Sequence, residues 1–269
     1  MNNITAWKRV EIARSPNRKT SLDYIDYIFD DFIELHGDRL GKDDKAMVCG
    51  LGKIGEQSFT IIAEQKGRTT KENIERNFGM PNPESYRKAI RFMKQAEKFH
   101  RPVITFIDTK GAYPGIEAEE KGQGEAIANS MLTMAELKVP IISVVIGEGS
   151  SGGALAIGVG NKVIMLENAI YSILSPEGYA SILWKDASRA KEAAEKMRLT
   201  AQDLYDLKVI DKIIDEPDGD LQKAFCVTAK CLKDEICQSV SELLQLTDDE
   251  VVEDRYAKFR NIGEYKELV

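Results

Sequence analysis

Two short segments, PVITFIDT at 102–109 and PIISVVIG at 140–147, are almost wholly apolar and run straight into glycine-rich turns. A strand that is apolar on both faces must be covered on both faces. That condition belongs to parallel sheets flanked by helices, not to half-wet antiparallel sheets. Helical spacing of Tyr86, Ala89, Ile90, Met93 and Ala96 precedes the first segment, and a second helical run from about 125 to 137 separates the two. The alternation predicts an α/β fold with parallel pairing and right-handed crossovers. In such a sheet the carboxyl ends of neighbouring strands share one edge, where ligands collect.

The second turn lies in IGEGSSGGALAIGVG, residues 146–160, with six glycines in fifteen positions. Glycine costs about 0.5–1 kcal/mol relative to alanine inside regular structure, so stability alone does not account for them. The turn opens a helix, whose first backbone N–H groups have no acceptor within the helix. Without side chains at Gly152 and Gly153, a ligand oxygen can come close to those donors. This is the arrangement of an oxyanion hole, where one lost donor raises a barrier by about 2.7–4 kcal/mol. Close helix–strand packing is the competing reading, and it is the one assigned to Gly158 and Gly160. The phosphate-loop pattern G-x-x-x-x-G-K-[ST] is absent. A formal G-x-G-x-x-G at Gly147, Gly149 and Gly152 is weak support for a dinucleotide site. Ser150 and Ser151 would need a base to act as nucleophiles. The chain has only two histidines, and His100 sits in FHRPV, at the wrong end of its strand. The serines are expected to cap the helix instead.

Composition excludes several classes. The net charge is −7 and no long Lys/Arg run appears, so nucleic acid is not an expected partner. The N-terminus MNNITAWKRV lacks an apolar signal region, and no apolar run is long enough for a membrane span. A cytoplasmic protein is expected. Cys49, Cys226, Cys231 and Cys237 form no C-x-x-C pair, so reduced, mostly buried thiols are expected rather than a metal site.

The rest of the chain adds detail. A short amphipathic helix is predicted over about 3–14, and a second from Ser21 to just before His36, carrying Leu22, Ile25, Ile28, Phe29, Phe32 and Ile33. His36, in HGDR, is expected to be buried or to cap that helix. AMVCGLGKIG and QSFTIIAEQKG read as a β-hairpin turning at Gly55. Residues 68–83 read as a polar loop, KVIMLENAIYSIL as further strand, 191–209 as helix, and 221–246 as one long helix or a broken pair. The polar, acidic tail from Thr247 is expected to be poorly ordered.

Longer motifs carry a resemblance. FIDTKGAYPGIEAEEKGQGEAIANSM, KVPIISVVIGEGSSGGALAIGVGNKVIML and YSILSPEGYASILWK, in that order, resemble the α subunit of the carboxyltransferase of bacterial acetyl-CoA carboxylase. LDYIDYIFDDFIELHGDR and NFGMPNPESYRKAIRFM are similar to earlier segments of that family, and the likeness spans about 5–215. The resemblance implies a crotonase-like (ClpP/crotonase) α/β spiral of ββα units, with flanking N- and C-terminal helices. It divides the chain into an N-terminal helix and turn at 1–20, a carboxyltransferase domain at 21–215 and a helical extension with a tail at 216–269.

By the same resemblance, carboxybiotin on a carrier protein loses carbon dioxide and leaves a ureido anion. That anion takes a proton from the methyl group of acetyl-CoA, and the enolate attacks carbon dioxide to give malonyl-CoA for fatty acid synthesis. No histidine is then required; the protein polarises carbonyl oxygens and holds the reactants together. Gly152 and Gly153 are expected to hold the biotin carbonyl oxygen, with Gly115 as a further catalytic position. Tyr113, Pro114 and Ser151 are expected to bind substrate, and Lys66 and Arg68 to meet a coenzyme A phosphate by charge. No cofactor or metal bound by this chain is expected. The expected partners are a β subunit with a zinc ribbon, in an α2β2 assembly, the biotin carboxyl carrier protein and biotin carboxylase. The family usually has proline where Lys110 stands and glycine where Ser150 stands. Two alternatives remain open at this point. One is an enoyl-CoA hydratase or isomerase using Glu117, Glu119 or Glu120, and the bland account of those residues is a solvated charged turn. The other is a non-catalytic scaffold.

Overall fold

The computed structural model describes residues 4–217 and 221–263; the expected helix start at residue 3, part of the 216–269 extension and the last six positions lie outside them. In chain order the first elements are α1 (Ala6–Ala13), α2 (Ser21–Ile28), β1 (Asp31–Glu34), β2 (Met47–Ile54) and β3 (Gln57–Glu64). Then come α3 (Thr70–Glu75), α4 (Pro83–Lys98), β4 (Val103–Thr109), α5 (Ile116–Glu120), α6 (Gln123–Glu136) and β5 (Ile141–Ser150). The chain continues through α7 (Ser151–Leu155), β6 (Lys162–Leu166), β7 (Ile170–Ser172), α8 (Pro176–Trp184), α9 (Ala190–Met197) and α10 (Ala201–Asp206). It ends with β8 (Lys212–Ile214), α11 (Leu221–Leu243) and α12 (Asp248–Arg260).

The sheet runs β1-β2-β3-β4-β5-β6-β8, and β7 joins the far half of β5. The β1–β2 and β2–β3 pairs are antiparallel, and every later pair is parallel. Every residue of β4 and β5 is buried, as their two-sided apolar pattern requires. The hairpin turns at Gly55 with φ +56°, a left-handed value glycine adopts without strain.

Several expectations change. The second helix stops at Ile28 and the chain reverses into β1, so Phe32 and Ile33 belong to a strand. Gly50 explains the switch, because an ideal Cβ there would lie 2.6 Å from the Phe32 ring and 2.3 Å from Ile33 O. The glycine lets an edge strand lie close over β2, and this tertiary contact overrides the local helical spacing. His36 therefore caps no helix; it is exposed after β1, with Nδ1 3.1 Å from an Asp43 carboxylate oxygen. The polar loop contains α3, which Thr69 caps by accepting from Glu72 N–H. The 191–209 helix breaks at Arg198, whose φ is +52°, and restarts behind a Thr200–Asp203 capping box. Only Cys49 is buried; Cys226 and Cys237 are half-buried and Cys231 is exposed.

The largest correction is at the end of the chain. The tail from Thr247 forms α12, opened by a Thr247–Glu250 capping box. Arg255 of that helix has no exposed surface. Its guanidinium donates to the carbonyls of Met134 (2.6 Å), Leu137 (2.8 Å) and Val139 (3.0 Å) and to Asn161 Oδ1 (2.8 Å). One long polar side chain thus docks a helix that composition alone reads as solvated.

Candidate active site

Strands β4 and β5 end side by side. Their register shifts between Ile107 and Thr109, which brings Thr109 opposite Gly149. The turn after β4 is held by side chains. Thr109 Oγ1 accepts from Gly111 N–H (3.1 Å) and lies 2.6 Å from Gly79 O. Gln123 Nε2 donates to the carbonyls of Tyr113 (2.9 Å) and Pro81 (3.0 Å). Gly111 has φ +132°, and the Tyr113 ring covers Gly115, where a Cβ would lie 2.3 Å from Tyr113 Cε1. Tyr113 and Gly115 are half-buried and Pro114 is exposed.

The turn after β5 is held by backbone packing. A Cβ on Gly153 would sit 2.5 Å from Ala112 N and 2.7 Å from Gly111 C, so the two turns touch backbone to backbone. A Cβ on Gly152 would meet only Ile127 methyl groups, at 3.5 and 3.7 Å. The two adjacent glycines therefore differ: Gly153 is required by packing, whereas Gly152 is half-buried with ordinary van der Waals room against Ile127. Neither has a positive φ. The strain expected for a larger residue there is steric at Gly153 and absent at Gly152. Gly158 and Gly160 are packing positions, 2.9 Å from Ala154 O and 2.7 Å from Ser143 Oγ if a Cβ is added.

The serines do not cap. Ser150 occupies the N-cap position of α7 with no side-chain hydrogen bond. Ser151 is the first helical residue and has φ +58°, a conformation that strains a non-glycine residue. His100 precedes β4, at the opposite end of the strand, so no imidazole reaches Ser151. Glu117, Glu119 and Glu120 are exposed, in keeping with a solvated charged turn.

Beneath the two turns lies a layer of buried charge. Asp108 and Glu148 are 3% and 2% exposed, and Glu64 is fully buried. Asp108 Oδ1 accepts from Lys66 Nζ at 2.5 Å and from Glu148 N–H at 2.9 Å, while Asp108 N–H donates to Glu64 Oε2 at 3.1 Å. Arg14 Nε and Nη2 donate to Glu148 Oε1 at 3.0 and 2.8 Å, and Arg14 Nη1 donates to Glu177 at 2.8 Å. Burial, reinforced by the Asp108 charge, pushes the Glu64 carboxyl well above the usual carboxylate range. Burial works against the Arg14 cation, but its hydrogen bonds to Glu148 and Glu177 outweigh that and stabilise the charge. A cavity of about 510 Å³ adjoins this layer, lined in part by Arg14, Lys66, Arg68, Asp108, Lys110 and Glu148. Lys66 and Arg68 reach it, whereas Tyr113, Pro114, Gly115, Ser151, Gly152 and Gly153 are not in its wall. Arg68 is exposed and pairs with Asp23 at 2.6 Å. Of these residues only Lys66 and Arg68 were expected at a site. The signals that point to the others are a single aspartate inside an otherwise apolar strand and a glutamate between Gly147 and Gly149. Arg14, more than a hundred residues away in sequence, leaves no such signal.

A sheet of this topology with glycine turns in contact at the carboxyl edge is a crotonase-like α/β fold. The transcarboxylase 12S structure matches it with a TM-score of 0.69 at 18% identity, over 90% of this chain and 45% of that one. The geranyl-CoA carboxylase β subunit of P. aeruginosa matches with a TM-score of 0.65 at 16% identity, over 85% of this chain and 48% of that one. Sequence narrows the class. Residues 1–263 match the family model "Acetyl co-enzyme A carboxylase carboxyltransferase-like". The chain is 57% identical to the acetyl-coenzyme A carboxylase carboxyl transferase subunit alpha of Staphylococcus carnosus, over 98% of its own length and 84% of that protein. Identity to the protein of the same name from Clostridium acetobutylicum is also 57%, over 98% of this chain and 96% of that one. A relative in Clostridium tetani, named for subunits beta/alpha together, is 57% identical over 98% of this chain and 46% of its own length. The chain belongs to the acetyl-CoA carboxylase carboxyltransferase α family.

Proposed function

We infer that this chain is the α half of a carboxyltransferase that moves a carboxyl group from carboxybiotin to acetyl-CoA and so forms malonyl-CoA for fatty acid synthesis. The observation that carries the reading beyond family membership is the Gly152–Gly153 pair. By position in α7 their N–H groups have no intrahelical acceptor, and Gly152 is half-buried with ordinary room against Ile127. In this reading the pair holds the biotin carbonyl oxygen, and charge that develops there as carbon dioxide departs meets fixed donors. The ureido anion takes the methyl proton of acetyl-CoA, and the enolate carbon forms its bond to carbon dioxide. No protein base is needed, which suits an edge without histidine.

Gly115, with Tyr113 and Pro114, belongs to the turn that Gly153 touches and would orient the reactants, as would Ser151. Lys66 and Arg68, on the cavity wall, would attract the phosphates of coenzyme A, although each already has a carboxylate partner. The hydratase alternative loses its support, since the carboxylates after Gly115 face solvent. The second half-site would come from a β subunit bearing a zinc ribbon, in an α2β2 assembly. The Clostridium tetani relative, named for both subunits, supports the existence of such a partner. The carrier protein and biotin carboxylase would supply carboxybiotin. Among the described residues no helix is long and apolar enough to cross a membrane, which is compatible with a cytoplasmic reaction.

The test is reconstitution. The isolated chain should form no measurable malonyl-CoA from carboxybiotin and acetyl-CoA, and activity should appear on mixing with a β subunit. Full turnover by the isolated chain would overturn the reading.

A further inference from the structure

The layer of charge under the two glycine turns has a centre. Asp108 Oδ1 takes one hydrogen bond from Lys66, which follows β3, and another from the Glu148 backbone N–H in β5. Its own N–H is fixed by Glu64 of β3. The strand beside it makes room: a Cβ on Gly147 would fall 2.2 Å from Asp108 Oδ1. Asp108 lies three residues before Gly111, and Glu148 lies four before Gly152. The register shift between β4 and β5 occurs at this same place. Glu148 is then tied through Arg14 to Glu177 at the start of α8.

We propose that Asp108 is a positioning residue of the carboxyl-transfer site: its single Oδ1 clamps the ends of three strands and so fixes the spacing of the turns at 110–115 and 149–153. The proposal rests on the reading that those turns carry the chemistry. Asp108 need not touch substrate; it acts through the backbone. A buried carboxylate with a cation and a peptide N–H on one oxygen is well suited to this. Charge-assisted hydrogen bonds are shorter and stronger than neutral ones, and misplacing a catalytic group by about 1 Å costs roughly a hundredfold in rate.

The clamp can be opened from either side. Asp108→Ala removes the carboxylate, and Gly147→Ala places a methyl where it lies. Should either fail to fold, Asp108→Asn is nearly isosteric, keeps an acceptor for Glu148 N–H and removes only the charge that holds Lys66. Hydrogen exchange of peptides spanning the two turns reads the clamp on the purified chain, without catalysis. The kinetic constants of the assembled enzyme read its consequence. All three variants should exchange faster in both turns, Asp108→Asn least. For the two alanine variants kcat should fall about a hundredfold with KM held within about twofold. Lys66→Gln should raise exchange as Asp108→Asn does, and Lys66→Arg should restore protection. Unchanged exchange in folded Asp108→Asn overturns the proposal, as does a raised KM with kcat retained. Faster exchange with full kcat also overturns it. If Gly152→Val is then inactive, only the positioning role is lost; if Gly152→Val is also active, the assignment of the turns fails with it.

Discussion

The two ends of β4 and β5 are built on opposite plans. At the amino ends, one cation from α12 is surrounded by neutral acceptors. Arg255 donates to Asn161 and to the carbonyls of Met134, Ala135, Leu137 and Val139, between the end of α6 and the start of β5, and burial lowers its pKa to about 10. Those carbonyls are satisfied within the protein. At the carboxyl ends the charges are paired in sequence, from Lys66 to Asp108 and from Arg14 to Glu148 and Glu177. Above them the first N–H groups of α7 have no intrahelical partner, and Gly152 is half-buried against Ile127. The comparison separates a lock from a site. Where acceptors are turned inward onto a buried cation, a ligand gains nothing; where donors are fixed but unspent, it does.

Breaking each end should give a different phenotype. The largest effect is expected from Gly153→Val, which drives a side chain into the backbone of the neighbouring turn. It should cost about 3 kcal/mol of stability and remove activity together with assembly. A well-folded, active Gly153→Val protein would refute the backbone contact. Arg255→Leu should cost about 2–3 kcal/mol by removing a buried donor from several carbonyls at once. In thermal melts the midpoint should fall, while kcat per folded molecule stays the same. A fall in kcat would show that the amino end is coupled to the chemistry.

A smaller effect should come from pH. The Glu64 carboxyl titrates well above its ordinary value of 4.5 in the fold, so the folded state favours its protonated form. That contribution is complete below 4.5 and is lost as pH rises through the folded pKa. Glu64→Gln, which stays neutral, should therefore gain stability relative to the parent as pH is raised. Urea titrations across pH will show this, and parallel curves would contradict a protonated Glu64. The smallest effect should be that of Ser151→Ala, at less than about tenfold in kcat and under about 1 kcal/mol in stability, since its hydroxyl caps nothing. Complete inactivation would make Ser151 a chemical participant.

How far these features could be read in the sequence follows from where each one's information lies. The apolar runs of β4 and β5 and the turn at Gly55 carry their own patterns, and the motifs around Gly111–Gly115 and Gly147–Gly153 carry the family. Strand β1 was hidden because Phe32 and Ile33 fit helical spacing, and only Gly50, on another strand, decides the matter. Helix α12 was hidden because its anchor is an arginine, a residue type that composition assigns to the surface. The contrast between Gly152 and Gly153 depends on the backbone of a turn some forty residues earlier. The charged layer under the site depends on Arg14 and Lys66, brought in by distant parts of the chain. Local pattern reveals strands and turns; pairings made by the fold are not written locally.

The central claim is that the carboxyl end works through a backbone donor at Gly152 with no protein base. Gly152→Val tests it most directly, because its Cβ has ordinary room against Ile127, at 3.5 Å, so the fold should tolerate it while a β-branched side chain crowds the donor. With assembly checked by size and folding by circular dichroism, kcat for malonyl-CoA formation should fall by about a hundredfold or more. A folded, assembled Gly152→Val enzyme that keeps kcat within about threefold of the parent would contradict the account, because loss of an oxyanion donor costs far more than that.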